Sequence, residues 1–246
     1  MNCNHCKIFS TSDKANQFIV TQWSAIASRA IQNKGNFTVA LSGGKTPMKL
    51  FKLLRNSIRN DLWNNTHIFM VDERFVPVDH PESNQLMIRE NLIVHNFIGD
   101  EHFYPIPINE DSKSSANAYQ CTLKKFFRFE PGMLPMFDLI LLGIGRDGHT
   151  ASIFPGDSGI MQSRKLVRAV DLTGFKHERI TLALTVLNQA KNIFFLVLRK
   201  GKAEIIKNVL ERKNRELPAT HIDPPNGKLW FVLDREAASL LNFSKE

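Results

Sequence analysis

Apolar residues recur at three- and four-residue spacing across 13–34, where Ala15, Phe18, Ile19, Trp23, Ile26, Ala27 and Ala30 share one helical face. The spacing predicts a helix packed on a sheet, with Ser12 as N-cap and Gly35 as its stop. Beyond it, short apolar runs alternate with amphipathic stretches. Phe37–Leu41 reads as a strand, Pro47–Arg55 as a helix, His67–Val71 as a strand and Asn84–Leu92 as a helix. Further strands are expected at Asp138–Leu142, Lys165–Val170, Ile193–Leu198 and Leu229–Leu233, with helices after the last two at Lys202–Glu211 and Arg235–Leu241. Leu139 to Leu142 has the unbroken hydrophobicity of a strand covered on both faces. The alternation predicts an α/β fold, a mostly parallel, doubly wound (Rossmann-like) sheet flanked by helices, with residues 1–246 as a single domain. Residues 99–115, which include Pro105 and Pro107, form the longest irregular connection.

Composition narrows this only slightly. Hydrophobic content of 43% and charged content of 23% are ordinary for a globular domain. No apolar run is long enough to span a bilayer and no secretion signal opens the chain, so a cytoplasmic protein with no membrane partner is expected. Cys3 and Cys6 form a C-x-x-C around His5, but no second pair completes a zinc site, and an incidental pair is the better reading. No other cluster of His, Cys, Asp or Glu has ligand spacing, so no metal is expected. The net charge of +8 permits nucleic acid, a membrane surface or a small anionic substrate. Lys and Arg are spread along the chain, and the densest cluster, Arg199 to Arg215, is interleaved with Glu204 and Glu211 as on a solvated helix face.

Three segments carry chemistry. After the strand at 139–142, Gly143, Gly145 and Gly148 let the backbone turn sharply and offer up Asp147 and His149 at a strand's carboxyl end, where open parallel sheets bind ligands. Histidine can take and return a proton near neutral pH, and a carboxylate two residues away can fix its tautomer or hold a substrate hydroxyl. Ser42-Gly43-Gly44-Lys45-Thr46-Pro47 joins a strand to a helix, with Thr46 suited to the N-cap and Pro47 to the first helical position. Its glycine N–H groups suit a phosphate, although the segment is neither a Walker A loop nor G-x-G-x-x-G; a plain capped turn is the alternative. Asp72-Glu73-Arg74 ends another strand, where buried charges must pair or touch a ligand. Arg74 suits a phosphate or an oxyanion, and a structural network through Asp72 or Glu73 is the competing reading.

Taken together these segments resemble the 6-phosphogluconolactonase family, within the wider group that includes glucosamine-6-phosphate isomerase/deaminase. The resemblance rests on 42–47, on 72–77 with Ser83-Asn84, and above all on Gly143-Ile144-Gly145-Arg146-Asp147-Gly148-His149-Thr150-Ala151-Ser152-Ile153-Phe154-Pro155. It continues through Arg179-Ile180-Thr181-Leu182, Lys202-Ala203-Glu204, Leu217-Pro218-Ala219 and Trp230-Phe231-Val232-Leu233-Asp234. Similar proteins usually carry a glycine three residues before the lysine aligned with Lys202; here that position is Arg199 and the glycine is Gly201, which leaves Lys200 as an alternative.

The resemblance implies hydrolysis of 6-phospho-D-glucono-1,5-lactone, a sugar-phosphate lactone, to 6-phosphogluconate in the oxidative pentose phosphate pathway, with no metal or organic cofactor. It implies His149 as general base, Arg74 at the oxyanion and Asp147 orienting the histidine or a sugar hydroxyl. Ser42, Gly43, Gly44, Lys45, Thr46, Asp72, Arg179 and Lys202 would bind the substrate and its phosphate. The sister reaction on glucosamine 6-phosphate uses a glutamate just beyond the loop histidine, and residues 150–156 contain no acid. A sugar-phosphate sensor within a regulator would need a DNA-binding segment, for which there is no room before the first strand. A nucleic-acid partner is not expected either, since no reader motif accompanies the charge. Ser152 lacks the G-x-S-x-G elbow of an esterase nucleophile and is read as a structural loop residue.

Overall fold

A computed structural model of the protein describes residues 6–93, 99–128, 130, 132–157, 165–171, 174, 176–212 and 214–242; Cys3 and His5 lie outside them. The chain opens with strand β1 (Cys6–Phe9), then helix α1 (Ser12–Lys34), which buries Ala15, Ile19, Trp23, Ala27 and Ala30 as the spacing predicts. Thr11 rather than Ser12 is its N-cap, accepting from Lys14 N at 3.2 Å, while the Ser12 hydroxyl donates to Asp234 Oδ2 at 2.6 Å. Gly35 ends the helix at φ 82°, its N–H bonded to the Ile31 carbonyl.

Strand β2 (Phe37–Leu41) is wholly buried and leads to α2 (Met48–Ser57), the short α3 (Asn60–Trp63) and β3 (Thr66–Met70). Helix α2 begins one residue later than expected: Pro47 holds the cap position and no side chain caps it, so Thr46 is not the N-cap. There follow β4 (Asp72–Arg74), α4 (Asn84–Ile88) with a turn of π-helix over Arg89–Ile93, β5 (Phe103–Tyr104) and α5 (Ser112–Phe127). The expected irregular stretch 99–115 thus contains a short strand and the start of a helix, launched by a capping box between Asp111 and Ser114. The chain ends through β6 (Leu139–Leu142), β7 (Val167–Val170), β8 (Arg179–Leu182), α6 (Leu184–Leu187), β9 (Asn192–Val197), α7 (Ala203–Lys207) and β10 (Lys228–Asp234).

Among the described residues, seven strands pair in the order β1-β10-β9-β6-β2-β3-β5, every pair parallel. Helix α2 carries the chain from β2 outward to β3, whereas the path from β6 leads to β9 on the other side. The carboxyl ends of β2 and β6 therefore flank the point where the strand order reverses, and the connections leaving in opposite directions open a crevice there. Val71 is where the backbone leaves this sheet: its N–H bonds the Leu41 carbonyl at 2.9 Å, while its own carbonyl accepts from Leu182 N at 2.8 Å. Strand β4 then joins β8 and β7 in a small antiparallel sheet, with Arg74 opposite Arg179.

Two expectations change. The strand expected at Lys165–Val170 is the shorter β7 and belongs to this antiparallel sheet. The expected helix Arg235–Leu241 is a series of turns, in which the Asp234 carboxylate accepts from Ala237 N, Arg199 N and Ser12 Oγ. Among the described residues no helix is long and apolar enough to cross a membrane.

Candidate active site

The crevice holds a cavity of about 240 Å³. Ser42, Gly43, Gly44, Lys45 and Thr46 line it from the end of β2, Asp72 and Arg74 from β4, Gly143, Ile144, Gly145 and His149 from the end of β6, and Lys202 from the turn before α7. Of the expected residues only Asp147 and Arg179 do not line it, and each touches a residue that does.

Two glycines of the β6 loop, Gly145 and Gly148, are needed on steric grounds, whereas a side chain at Gly143 would meet open space. A side chain at Gly145 would overlap both the His149 ring and the Asp147 carboxylate, so these two groups occupy the space that glycine leaves. Gly148 adopts φ 83° and donates to the Gly145 carbonyl at 3.2 Å, closing the turn. Ala219 N bonds the Gly148 carbonyl at 3.1 Å and braces the loop from outside. Within this frame His149 Nδ1 lies 2.7 Å from Asp147 Oδ1, and its ring packs on Phe154 with centroids 4.6 Å apart. A carboxylate can only accept, so Nδ1 carries the proton and Nε2 keeps its lone pair.

The strand charges divide by role. Glu73, fully buried, accepts from the backbone N–H groups of Arg74, Asn84 and Gln85 and from the Ser83 hydroxyl, and so ties β4 to the start of α4. Burial still pushes its carboxyl above the usual range. Asp72 accepts from the Ser152 hydroxyl at 2.7 Å, which gives Ser152 the structural task expected of it. Arg74 makes no side-chain bond to either acid; its Nη1 donates to the Glu82 carbonyl at 2.6 Å. Cross-strand pairing sets Arg179 beside it, and burial, then the Arg74 charge, lower the Arg179 pKa. Among the described residues its Nε is buried without a partner, as is the Ser42 hydroxyl on the cavity wall.

Lys202 lines the cavity and Lys200 does not. Lys202 Nζ donates to the Ile144 carbonyl at 2.6 Å, and burial, then the neighbouring Arg146, lower its pKa. Arg199, where the family resemblance leads one to expect glycine, has φ 76° and ψ 151°, a conformation that glycine alone enters without strain. Asn84 was given no role by the sequence, yet it lines the cavity, donates to the Asp72 carbonyl at 3.0 Å and fills the space above Gly43. The sequence pattern Ser83-Asn84 was its only trace.

The fold recurs in known proteins. The family model for glucosamine-6-phosphate isomerases/6-phosphogluconolactonase matches residues 10–231. A 6-phosphogluconolactonase of Synechocystis sp. is 36% identical over 217 residues, covering 87% of this chain and 88% of that one. The solved 6-phosphogluconolactonase of Trypanosoma cruzi superposes with a TM-score of 0.86 at 26% identity, covering 97% of each chain. A monomeric glucosamine-6-phosphate deaminase shares the fold alone, at 22% identity and a TM-score of 0.77 over 96% of this chain and 100% of that one. The matched span runs from α1 into β10 and takes in all three cavity-lining loops, so the chain belongs to the glucosamine-6-phosphate isomerase/6-phosphogluconolactonase family.

Proposed function

We propose that this protein hydrolyses 6-phospho-D-glucono-1,5-lactone to 6-phosphogluconate by general acid-base catalysis that uses no metal. The observation that carries the reading is the His149–Asp147 pair, 2.7 Å apart on a glycine-hinged loop beside the cavity. With Nδ1 bonded to Asp147, Nε2 takes a proton from water as its oxygen attacks the lactone carbonyl. The proton then passes to the ring oxygen as the tetrahedral intermediate collapses and the C–O bond breaks. Arg74, held by the Glu82 carbonyl, and loop N–H groups stabilise the oxyanion. The unpartnered Ser42 hydroxyl, the N–H groups of Gly43 and Gly44, Lys45, Thr46 and Lys202 receive the phosphate. Arg179 adds its charge from behind Arg74, and Asp72 accepts a sugar hydroxyl. The first acid after His149 is Asp157, which is engaged by both terminal nitrogens of Arg168, and this favours lactone hydrolysis over the deaminase reaction.

The test is to generate the lactone in situ with glucose-6-phosphate dehydrogenase and follow its loss against the spontaneous rate. Faster loss that survives exhaustive EDTA is expected, with no ammonia released from glucosamine 6-phosphate. Loss at the spontaneous rate would overturn the activity, and inactivation by EDTA reversed by zinc or magnesium would overturn the metal-free mechanism.

A further inference from the structure

One set of side chains outside the cavity has no part in this chemistry. His80 and Glu82 stand between β4 and α4, and His177 stands just before β8; a ligand atom from each lies within 4.8 Å of the others. Glu82 Oε2 is 2.6 Å from His177 Nε2 and 3.1 Å from Lys176 Nζ. The Glu82 N–H donates to His80 Nδ1 at 3.0 Å, and the two imidazole rings meet edge to face with centroids 5.5 Å apart. Nearly a hundred residues separate the two segments, so sequence spacing gave no sign of the cluster.

Two imidazoles and a carboxylate form the donor set of a borderline-soft divalent ion, with room left for water. The cation now paired with Glu82 is easily replaced: the Lys176 side chain is 69% exposed, and exposed pairs of this kind contribute little. We propose that His80, Glu82 and His177 form a binding site for zinc or a similar divalent transition-metal ion, separate from the reaction centre. The ion binds His177 Nε2 as that ring's proton shifts to Nδ1, displaces Lys176 from the Glu82 carboxylate and draws on a ring nitrogen of His80. Its position has a mechanical consequence. The Glu82 carbonyl anchors Arg74, so an ion here clamps the segment that aims Arg74 to the segment that leads into Arg179. Hard ions such as magnesium and calcium prefer all-oxygen ligands and should not bind.

The test titrates the full chain with zinc against a chromogenic chelator under non-reducing conditions, where Cys6 stays in a disulfide. The wild type should withdraw one equivalent, and zinc should raise its Tm while magnesium does not. His177→Ala should weaken zinc binding at least about tenfold, since even residues that only support a ligand contribute that much. Lys176→Ala, which removes the competitor and no ligand, should tighten binding several-fold. The site is overturned if the wild type withdraws no zinc, if a folded His80→Ala/His177→Ala double variant withdraws as much as the wild type, or if Lys176→Ala fails to tighten binding.

Discussion

Asp138 and Asp147 stand at opposite ends of β6 and are treated in opposite ways. Asp138, buried before the strand, accepts from Thr38 N and Oγ1 at 2.9 Å each, from Lys34 at 2.8 Å and from Lys191 at 3.0 Å. Burial alone would raise its pKa, yet these bonds hold it below the usual carboxylate range. Asp147, about half exposed after the strand, bonds only His149 among the described residues, through the ring and the backbone N–H. Around it, the Ser42 hydroxyl and Arg179 Nε are buried without partners among the described residues, and Arg74 and Arg179 are set side by side despite their like charge. At the amino end, polar capacity is used up in joining β2, β6 and α1. At the carboxyl end it is held in reserve, which lowers stability and leaves groups ready for an anion.

The comparison can be broken first at His149. Replacing it with Ala removes the general base and should lower kcat by ~10²–10⁴-fold with Tm nearly unchanged; a folded variant with wild-type turnover would remove the carboxyl end from the chemistry. A smaller effect is expected at the phosphate. Losing one charge-assisted hydrogen bond of about 1.5–3 kcal/mol should cost Lys202→Ala on the order of ten- to a hundredfold in kcat/KM, mostly through KM, while Arg179→Ala, which acts by its charge beside Arg74, should cost less. Lys200→Ala should be near neutral, and the reverse result would mean that the 199–202 turn is misassigned. The smallest effect sharpens the same contrast. Arg199→Gly relieves a backbone strained at φ 76° and should add about 1 kcal/mol, or about 2–4 °C in Tm. A thermal melt that shows a loss would contradict the strain.

Much of this was legible in the sequence because burial leaves a plain record there. The runs 37–41 and 139–142 are buried at every position, and the glycines after them mark two of the loops that line the cavity. The short strands β1, β4, β5 and β8 leave weaker traces, since two to four residues cannot show a period. Helix α5 was hidden by a polar, proline-containing approach whose capping box is clear only once the helix is seen. At 235–241 the error ran the other way: the apolar pattern suggests a helix, but the chain turns there, with Ala237 N bonded to the Asp234 carboxylate. The Arg74–Arg179 pairing depends on antiparallel register between strands a hundred residues apart, and no local pattern records that.

The most direct test of the division along β6 is one experiment on two variants, Asp138→Asn and Asp147→Asn, with Tm and lactonase kcat measured on each. Asp138→Asn should lose about 1–3 kcal/mol, a fall of roughly 2–10 °C in Tm, and keep its kcat. Asp147→Asn should keep its Tm and lose at least about tenfold in kcat, because a neutral amide holds the wrong imidazole tautomer as readily as the right one. If both variants lose stability and neither loses turnover, or if turnover falls with Asp138 and not with Asp147, the account of the site is wrong.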